Sequence, residues 1–406
     1  MPEQPEKPDV REAFVLKLAI ALHRYGTPAH RLEETLTMVM QRIGLRGDFF
    51  ALPTSIFASF GRPEQHRTSL IRANSGEVNL ERLALLDELA DEIIKGRCSV
   101  EEGSTKIDAI ESLPVRFKAP ATTIGMALAT GIAARIFGGG WREILVAGII
   151  GTVIGLLGPV FARNEFRKRV FEIATAVVAS SLSVLAAHYF SPFSIFFATL
   201  AGLIFLIPGM RLTTSMTEIA SGHLVSGAAR LTGAVMAFLS IAFGTALGNR
   251  ATSMLVTPFP EAAPETLPNI TLWLALMLYP LSITFLMQAR MKDFPLIAFS
   301  TAIAFAGSRL GSLGFGPELG AFIGAFGLGL GANQIGKMMG RPAILIIAPG
   351  LLLLVPGSIG YRSIAKMMEQ DVLAGVGMAF GVAVVGIAIV TGLLLANALL
   401  PSRRGL

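Results

Sequence analysis

Four titratable side chains lie within or beside long apolar stretches of this 406-residue chain: Glu172, Glu218, His223 and Glu318. A carboxylate at membrane depth is costly to keep there, and one that is kept pairs with a cation, relays a proton or meets a substrate. Glu172 and Glu318 each stand near the start of an apolar segment, 318 − 172 = 146 residues apart, where either could accept a proton or face an ammonium group. An interfacial carboxylate favouring a helix N-terminus has the same signature, so both readings stay open. Histidine titrates nearest neutral pH of all side chains, which suits His223, five residues after Glu218, to proton coupling or to a structural place at the interface.

Two Pro-Gly pairs carry a second kind of chemistry. Residues 202–221 read GLIFLIPGMRLTTSMTEIAS and residues 350–369 read GLLLLVPGSIGYRSIAKMME, and the two align without a gap. Gly202/Gly350, Leu203/Leu351, Leu206/Leu354, Pro208/Pro356, Gly209/Gly357 and Ser215/Ser363 are identical pairs, and Gly227/Gly375 extends the match. The chain therefore reads as an internal repeat with a spacing of 350 − 202 = 148 residues. Proline cannot continue a helical hydrogen-bond ladder, and glycine adopts backbone angles closed to other residues. Non-helical backbone at membrane depth persists only where protein or a watery cavity satisfies it, and helix breaks at matching places in two halves point to a transporter's binding site.

The candidate substrate-binding set is thus Pro208, Gly209, Thr213, Thr214 and Ser215 with Pro356, Gly357, Ser358, Tyr361 and Ser363. Freed backbone N–H and C=O groups with clustered hydroxyls suit a small zwitterion. They suit an ordinary helix cap as well.

The elements that hold these groups must be membrane helices. The chain is 52% hydrophobic and only 15% charged, with 43 glycines. Uncharged runs of this length mark membrane spans. One cysteine, Cys98, excludes an intrachain disulfide and a cysteine-based metal cluster. The opening MPEQPEKPDVRE has neither a basic segment nor a short apolar one, so no cleaved signal peptide is expected. No spacing marks a catalytic nucleophile, a metal site, a cofactor or a nucleic-acid partner, and the net charge of +6 reads as a topology signal.

Residues 1–118 read as a soluble α+β domain. Phe14, Leu18 and Leu22 share one helical face, as do Leu32, Leu36, Val39 and Ile43 on the next helix, where Thr27-Pro28 looks like its N-cap and first-turn proline. Residues 49–60 and 67–73 are β-rich and broken by Pro53 and a turn at Gly61–Pro63. Leu80, Leu83, Leu86, Leu89, Ile93 and Ile94 line another helix that Gly96 stops, and Ser99 with Glu102 forms a capping box for the next. Pro114 and Pro120 flank the link to the membrane part. His23, His30 and His66 are scattered in sequence, and Arg24, Arg31, Glu33 and Glu34 read as a solvated helix face.

From residue 119 the chain shows ten apolar segments, at about 120–138, 143–162, 171–189, 192–209, 223–248, 270–288, 294–308, 316–334, 342–357 and 372–398. These divide into a first five-helix repeat over 119–248, an outward connection over 249–269 containing Glu261 and Glu265, and a second repeat over 270–406. An odd number of spans per copy inverts the second relative to the first. With the N-terminal domain in the cytoplasm, Arg163, Arg167, Lys168, Arg169, Arg211, Arg290, Lys292, Lys337, Arg341, Arg403 and Arg404 fall inside. Arg142, Arg250, Arg309, Arg362 and Lys366 fall outside, which is the bias that cytoplasmic loops show. Gly320, Gly324, Gly327 and Gly331 offer a small-residue face for close helix contact, of the kind a ratchet between the halves would use.

With these residues in view, the chain resembles the threonine/serine exporter family of bacterial membrane proteins. The resemblance is carried by GTPAHRLEETLTMVMQRIGL (26–45), LPTSIFASF (52–60), IPGMRLTTSMTEIASGHLVSGAARL (207–231) and APGLLLLVPGSIGYRSI (348–364). It implies the fused form of a family that also occurs as two half-length proteins. It also implies ten spans, a cytoplasmic N-terminal domain, an inner-membrane location, and efflux of threonine and serine driven by the proton gradient. The partners so implied are a zwitterionic amino acid, protons and the lipid bilayer, with a homo-oligomer left open. The competing class is a membrane scaffold or sensor that moves nothing and uses its glycines for packing alone.

Overall fold

The computed structural model describes residues 9–62, 65–73, 76, 78–190, 193–257 and 262–401. Glu261, Arg403, Arg404 and Pro63 of the expected turn lie outside the described residues. Among the described residues the chain is mainly helical, with one small sheet near its N-terminus.

The N-terminal part packs α1 (Val10–Arg24), α2 (Ala29–Arg42), α3 (Leu80–Ile94) and α4 (Val100–Ser112) around an antiparallel sheet of β1 (Gly47–Leu52), β2 (Ser55–Arg62) and β3 (Gln65–Arg72). The apolar faces read from the sequence form its core, since Phe14, Leu18, Leu32, Leu36, Ile56, Leu86 and Ile93 are all buried. Burying each such side chain stabilises the fold by roughly 1.5–3 kcal/mol before entropy is counted. The capping box at Ser99 and Glu102 is present, and Gly96 takes the left-handed φ of +70° past the end of α3. One expected cap is corrected. Thr27 makes no bond to α2, whose N-cap position is Pro28 with extended backbone.

The rest is helical: α5 (Ala119–Ile136), α6 (Trp141–Ala162), α7 (Glu165–Phe190), α8 (Ile195–Gly202), α9 (Gly209–Ala220), α10 (Leu224–Ser253), α11 (Asn269–Leu286), a 3-10 turn at Met291–Asp293, α12 (Phe294–Phe315), α13 (Pro317–Met339), α14 (Ile344–Leu354), α15 (Gly357–Met368) and α16 (Val372–Leu399). Among the described residues, eight stretches are long and apolar enough to cross a membrane. Several expected boundaries move. The segment expected over 192–209 is instead α8, a run of turns and then α9, which begins directly after Pro208. Arg167, Lys168 and Arg169 lie in the first two turns of α7 rather than in a loop. Its 26 residues exceed the ~20 that span the hydrocarbon layer.

The glycine stripe is also corrected. Gly320, Gly324, Gly327 and Gly331 pack α13 against α12 of the same copy, with a Cβ on Gly320 falling 2.6 Å from the Ser308 carbonyl oxygen and one on Gly324 falling 3.0 Å from that of Ala304. Between the copies the contacts are reciprocal: α5 packs on α11, α9 on α15 and α16, and α15 on α9 and α10.

The N-terminal part grips the helical part at three connections. At the α11–α12 connection, the Leu80 N–H donates to the Met287 carbonyl at 2.8 Å. Gln288 there both accepts from the Phe117 N–H at 2.8 Å and donates to its carbonyl at 3.0 Å. At the α13–α14 connection, Arg341 meets Glu88 at 3.2 Å. The α9–α10 connection is the third, and it holds a polar cluster around Glu218. Other connections meet at the opposite end of the bundle. There the buried Glu143 carboxylate accepts from the Gly140 N–H at 2.8 Å and from the Ser194 N–H at 2.9 Å, tying the α5–α6 turn to the start of α8.

Candidate functional site

The two Pro-Gly pairs meet. A Cβ built on Gly209 would lie 2.8 Å from Val355 Cγ2 and 3.2 Å from the Gly357 Cα, and one on Gly357 would lie 3.0 Å from Ile207 Cγ2 and 3.3 Å from the Gly209 Cα. Pro208, Gly209, Pro356 and Gly357 are all buried, and α9 and α15 begin at these glycines. Two helix N-termini, each with first-turn N–H groups that have no partner in their own helix, therefore start side by side.

Downstream the backbones of the two copies share several features. The His223 N–H donates to the Glu218 carbonyl at 2.8 Å, as that of Asp371 does to Lys366 at 3.0 Å. Gly222 and Gln370 both take positive φ, 85° and 69°. A Cβ on Gly227 would lie 2.8 Å from the Ser215 carbonyl oxygen, and one on Gly375 2.9 Å from that of Ser363. The glycine identities are the close crossings of each short helix with its successor.

The hydroxyls of the predicted set point to backbone. Thr213 donates to the Gly209 carbonyl at 3.2 Å, Ser215 to Leu212 at 2.6 Å and Ser363 to Gly375 at 2.7 Å. Their oxygens remain as acceptors, and Thr214 and Ser358 are half-buried beside them. Tyr361 is buried, 6.1 Å from the Phe196 ring. Arg362, next along α15, lies over the rings of Phe196 and Phe197.

The copies differ where the N-terminal part docks. Glu218 is fully buried and pairs with Arg230 at 2.9 Å, accepts a hydrogen bond from the Ser226 hydroxyl at 2.8 Å, and accepts from the Ala29 N–H at 2.9 Å. It thereby caps α2 from 189 residues away, the task assigned by sequence to Thr27. His223 Nε2 faces Glu33 at 3.0 Å while Nδ1 faces the Ser221 carbonyl at 3.2 Å. Glu33 also accepts from the Ala51 N–H at 2.7 Å, so it belongs to this joint and not to a solvated face. Arg31 likewise is mostly buried near Asp87. The three histidines scattered in sequence do not share a fate. His30 lies 6.1 Å from the His223 ring and His23 faces the Pro53 carbonyl, while His66 is exposed on β3. Burial, aided by Arg31 and His223, pushes the His30 pKa down to about 4, and burial lowers that of His23.

The remaining carboxylates are apart from this joint. Glu172 pairs with the exposed Arg211 at 3.2 Å. Glu318 is half-buried in the first turn of α13 and has no hydrogen-bond or ion-pair partner among the described residues. Sequence reading overlooked Glu143, Arg230 and Ser226. A period-148 comparison would have flagged Arg230, because its counterpart Met378 carries no charge.

Two models of a threonine/serine exporter family match, one over residues 13–251 and the other over 273–399. Among curated proteins, the chain is 27% identical over 388 residues to pheromone-regulated membrane protein 10 of Yarrowia lipolytica, covering 90% of this chain and 31% of that protein. It is 26% identical over 365 residues to the protein of the same name in Eremothecium gossypii, covering 87% of this chain and 49% of the relative. The chain thus spans between about a third and a half of the length of these relatives. No solved structure matches it. Covered by the two models from its N-terminal helices to its last one, the chain belongs to the threonine/serine exporter family.

Proposed function

We propose that the protein is a secondary transporter that exports small polar amino acids, threonine and serine, and is not an enzyme. In this reading ten spans form two inverted five-helix repeats, with the N-terminal domain (1–118) and the C-terminus in the cytoplasm of a bacterium and the helices in its inner membrane. Three observations support it. The connections gripped by the N-terminal part, α9–α10, α11–α12 and α13–α14, are ones that ten crossings put on its own side. The reciprocal contacts of α9 and α15 are what a two-fold axis between the copies produces. The membrane carboxylates and His223 supply groups for proton antiport.

The observation that carries the proposal is the meeting of Gly209 and Gly357. Each break frees backbone groups, and their apposition puts those groups at the seam between the two halves, where alternating access exposes them first to one side and then to the other. The substrate carboxylate would meet first-turn N–H groups of α9 and α15, and its ammonium the free carbonyls and hydroxyl oxygens beside them. The test is counterflow: purified full-length protein in vesicles preloaded with unlabelled threonine should accumulate labelled threonine. Absence of exchange with threonine, serine and every other amino acid would leave a scaffold.

A further inference from the structure

We infer that Arg362 is the group that recognises the substrate's carboxylate in the half of the pathway beyond the Pro-Gly seam. The inference rests on the exporter reading and names a residue for it. Arg362 lies five residues past Gly357 on α15, in a stretch apolar enough to cross the membrane. A guanidinium there stays charged and must have an electrostatic partner. Among the described residues it has no carboxylate and no hydrogen-bond acceptor, and its Nε is buried without a partner. Its contacts are two aromatic rings, with the guanidinium carbon 5.9 Å from the centre of Phe196 and 5.3 Å from that of Phe197. The nearest acid along its own chain, Glu369, is held by Lys366 at 2.7 Å.

A cation–π contact uses up none of a guanidinium's N–H donors, which can match a carboxylate two bonds at a time. The arrangement is that of a cation held ready for an anion that comes and goes. The repeat sharpens the point. The position equivalent to Arg362 in the first copy is Thr214, a neutral hydroxyl, so the two halves of the pathway differ in charge. On this side of the seam the carboxylate end of the substrate is gripped, and Tyr361 and the two phenylalanines enclose it.

The test compares threonine with threoninamide as competitors in counterflow by the full-length protein. Wild type should prefer the acid by at least about tenfold, the size of one charge-assisted bidentate contact. In Arg362→Gln that preference should fall to within about twofold, while Arg362→Lys should retain part of it, since the charge remains and the fork is lost. A measurement on the unmutated protein guards against misfolding: threonine, but not threoninamide, should slow modification of Arg362 by phenylglyoxal as followed by mass spectrometry. Unchanged acid preference in Arg362→Gln, or equal protection by both compounds, overturns the assignment. Failure of wild type to exchange any amino acid overturns the exporter reading instead.

Discussion

Gly209 and Gly357 are 148 residues apart in the chain, yet a Cβ on either would fall within 3.3 Å of the other's Cα. Backbones this close leave no room for a branched side chain. If the protein exports as proposed, Gly209→Val and Gly357→Val should each cut threonine counterflow by more than about tenfold, because overpacking costs roughly 1–3 kcal/mol at the contact between the two breaks. Insertion should persist, since valine is at home in lipid. Normal exchange by both variants would reduce the Pro-Gly pairs to helix stops.

Glu218 holds Arg230, Ser226 and the start of α2 at once. Glu218→Ala strands a largely buried guanidinium and uncaps a helix, so the protein should lose about 3–5 kcal/mol, read as a lower melting temperature and earlier proteolysis of the N-terminal part. The double change Glu218→Leu with Arg230→Met should be milder than the single one. Equal melting of Glu218→Ala and wild type would show that the joint is not needed for docking.

The lowered pKa of His30 fixes the sign of a pH effect. Between about 4, its value in the fold, and about 6.5, its value unfolded, the unfolded chain binds the extra proton. The stability linked to His30 is therefore fully present above pH 6.5 and drains away as pH falls toward 4, by at most about 3 kcal/mol. Hydrogen exchange in α2 should speed up over that window, and His30→Gln should flatten the dependence.

Under the exporter proposal, proton coupling can be tested apart from exchange. Glu318 lacks a cation among the described residues, whereas Glu172 is engaged with Arg211. Glu318→Gln should abolish threonine efflux driven by a pH gradient and spare threonine–threonine exchange. Glu172→Gln should slow both by no more than a few-fold, as befits an exposed pair. Full gradient-driven efflux by Glu318→Gln would move the role to Glu218 and His223.

The N-terminal core is built from its own residues between Phe14 and Ile110. A fragment of residues 1–115 should be soluble and unfold cooperatively, as followed by circular dichroism. It should also bind the remainder of the chain less well when Glu33 is changed to Gln.

Local signals were legible because each is written in adjacent residues. Apolar faces spaced at three and four gave the helices of the N-terminal core, Ser99 and Glu102 gave their capping box, and the repeated Pro-Gly gave both breaks. Thr27 misled because an N-cap is chosen by whichever acceptor reaches the free N–H, and Glu218 arrives from another helix. Glu33 looked solvated for the same reason, since its partners His223 and Ala51 lie far off in the sequence. The glycine stripe gave close packing but not its partner, because a small face fits any neighbour and only the α12–α13 hairpin decides which. What the sequence determined is the set of parts: membrane helices, two matched breaks and a self-contained N-terminal core. Tertiary structure alone decided that the breaks touch and that one copy's Glu218 anchors α2, because both depend on backbone and side-chain groups from distant segments reaching bonding distance.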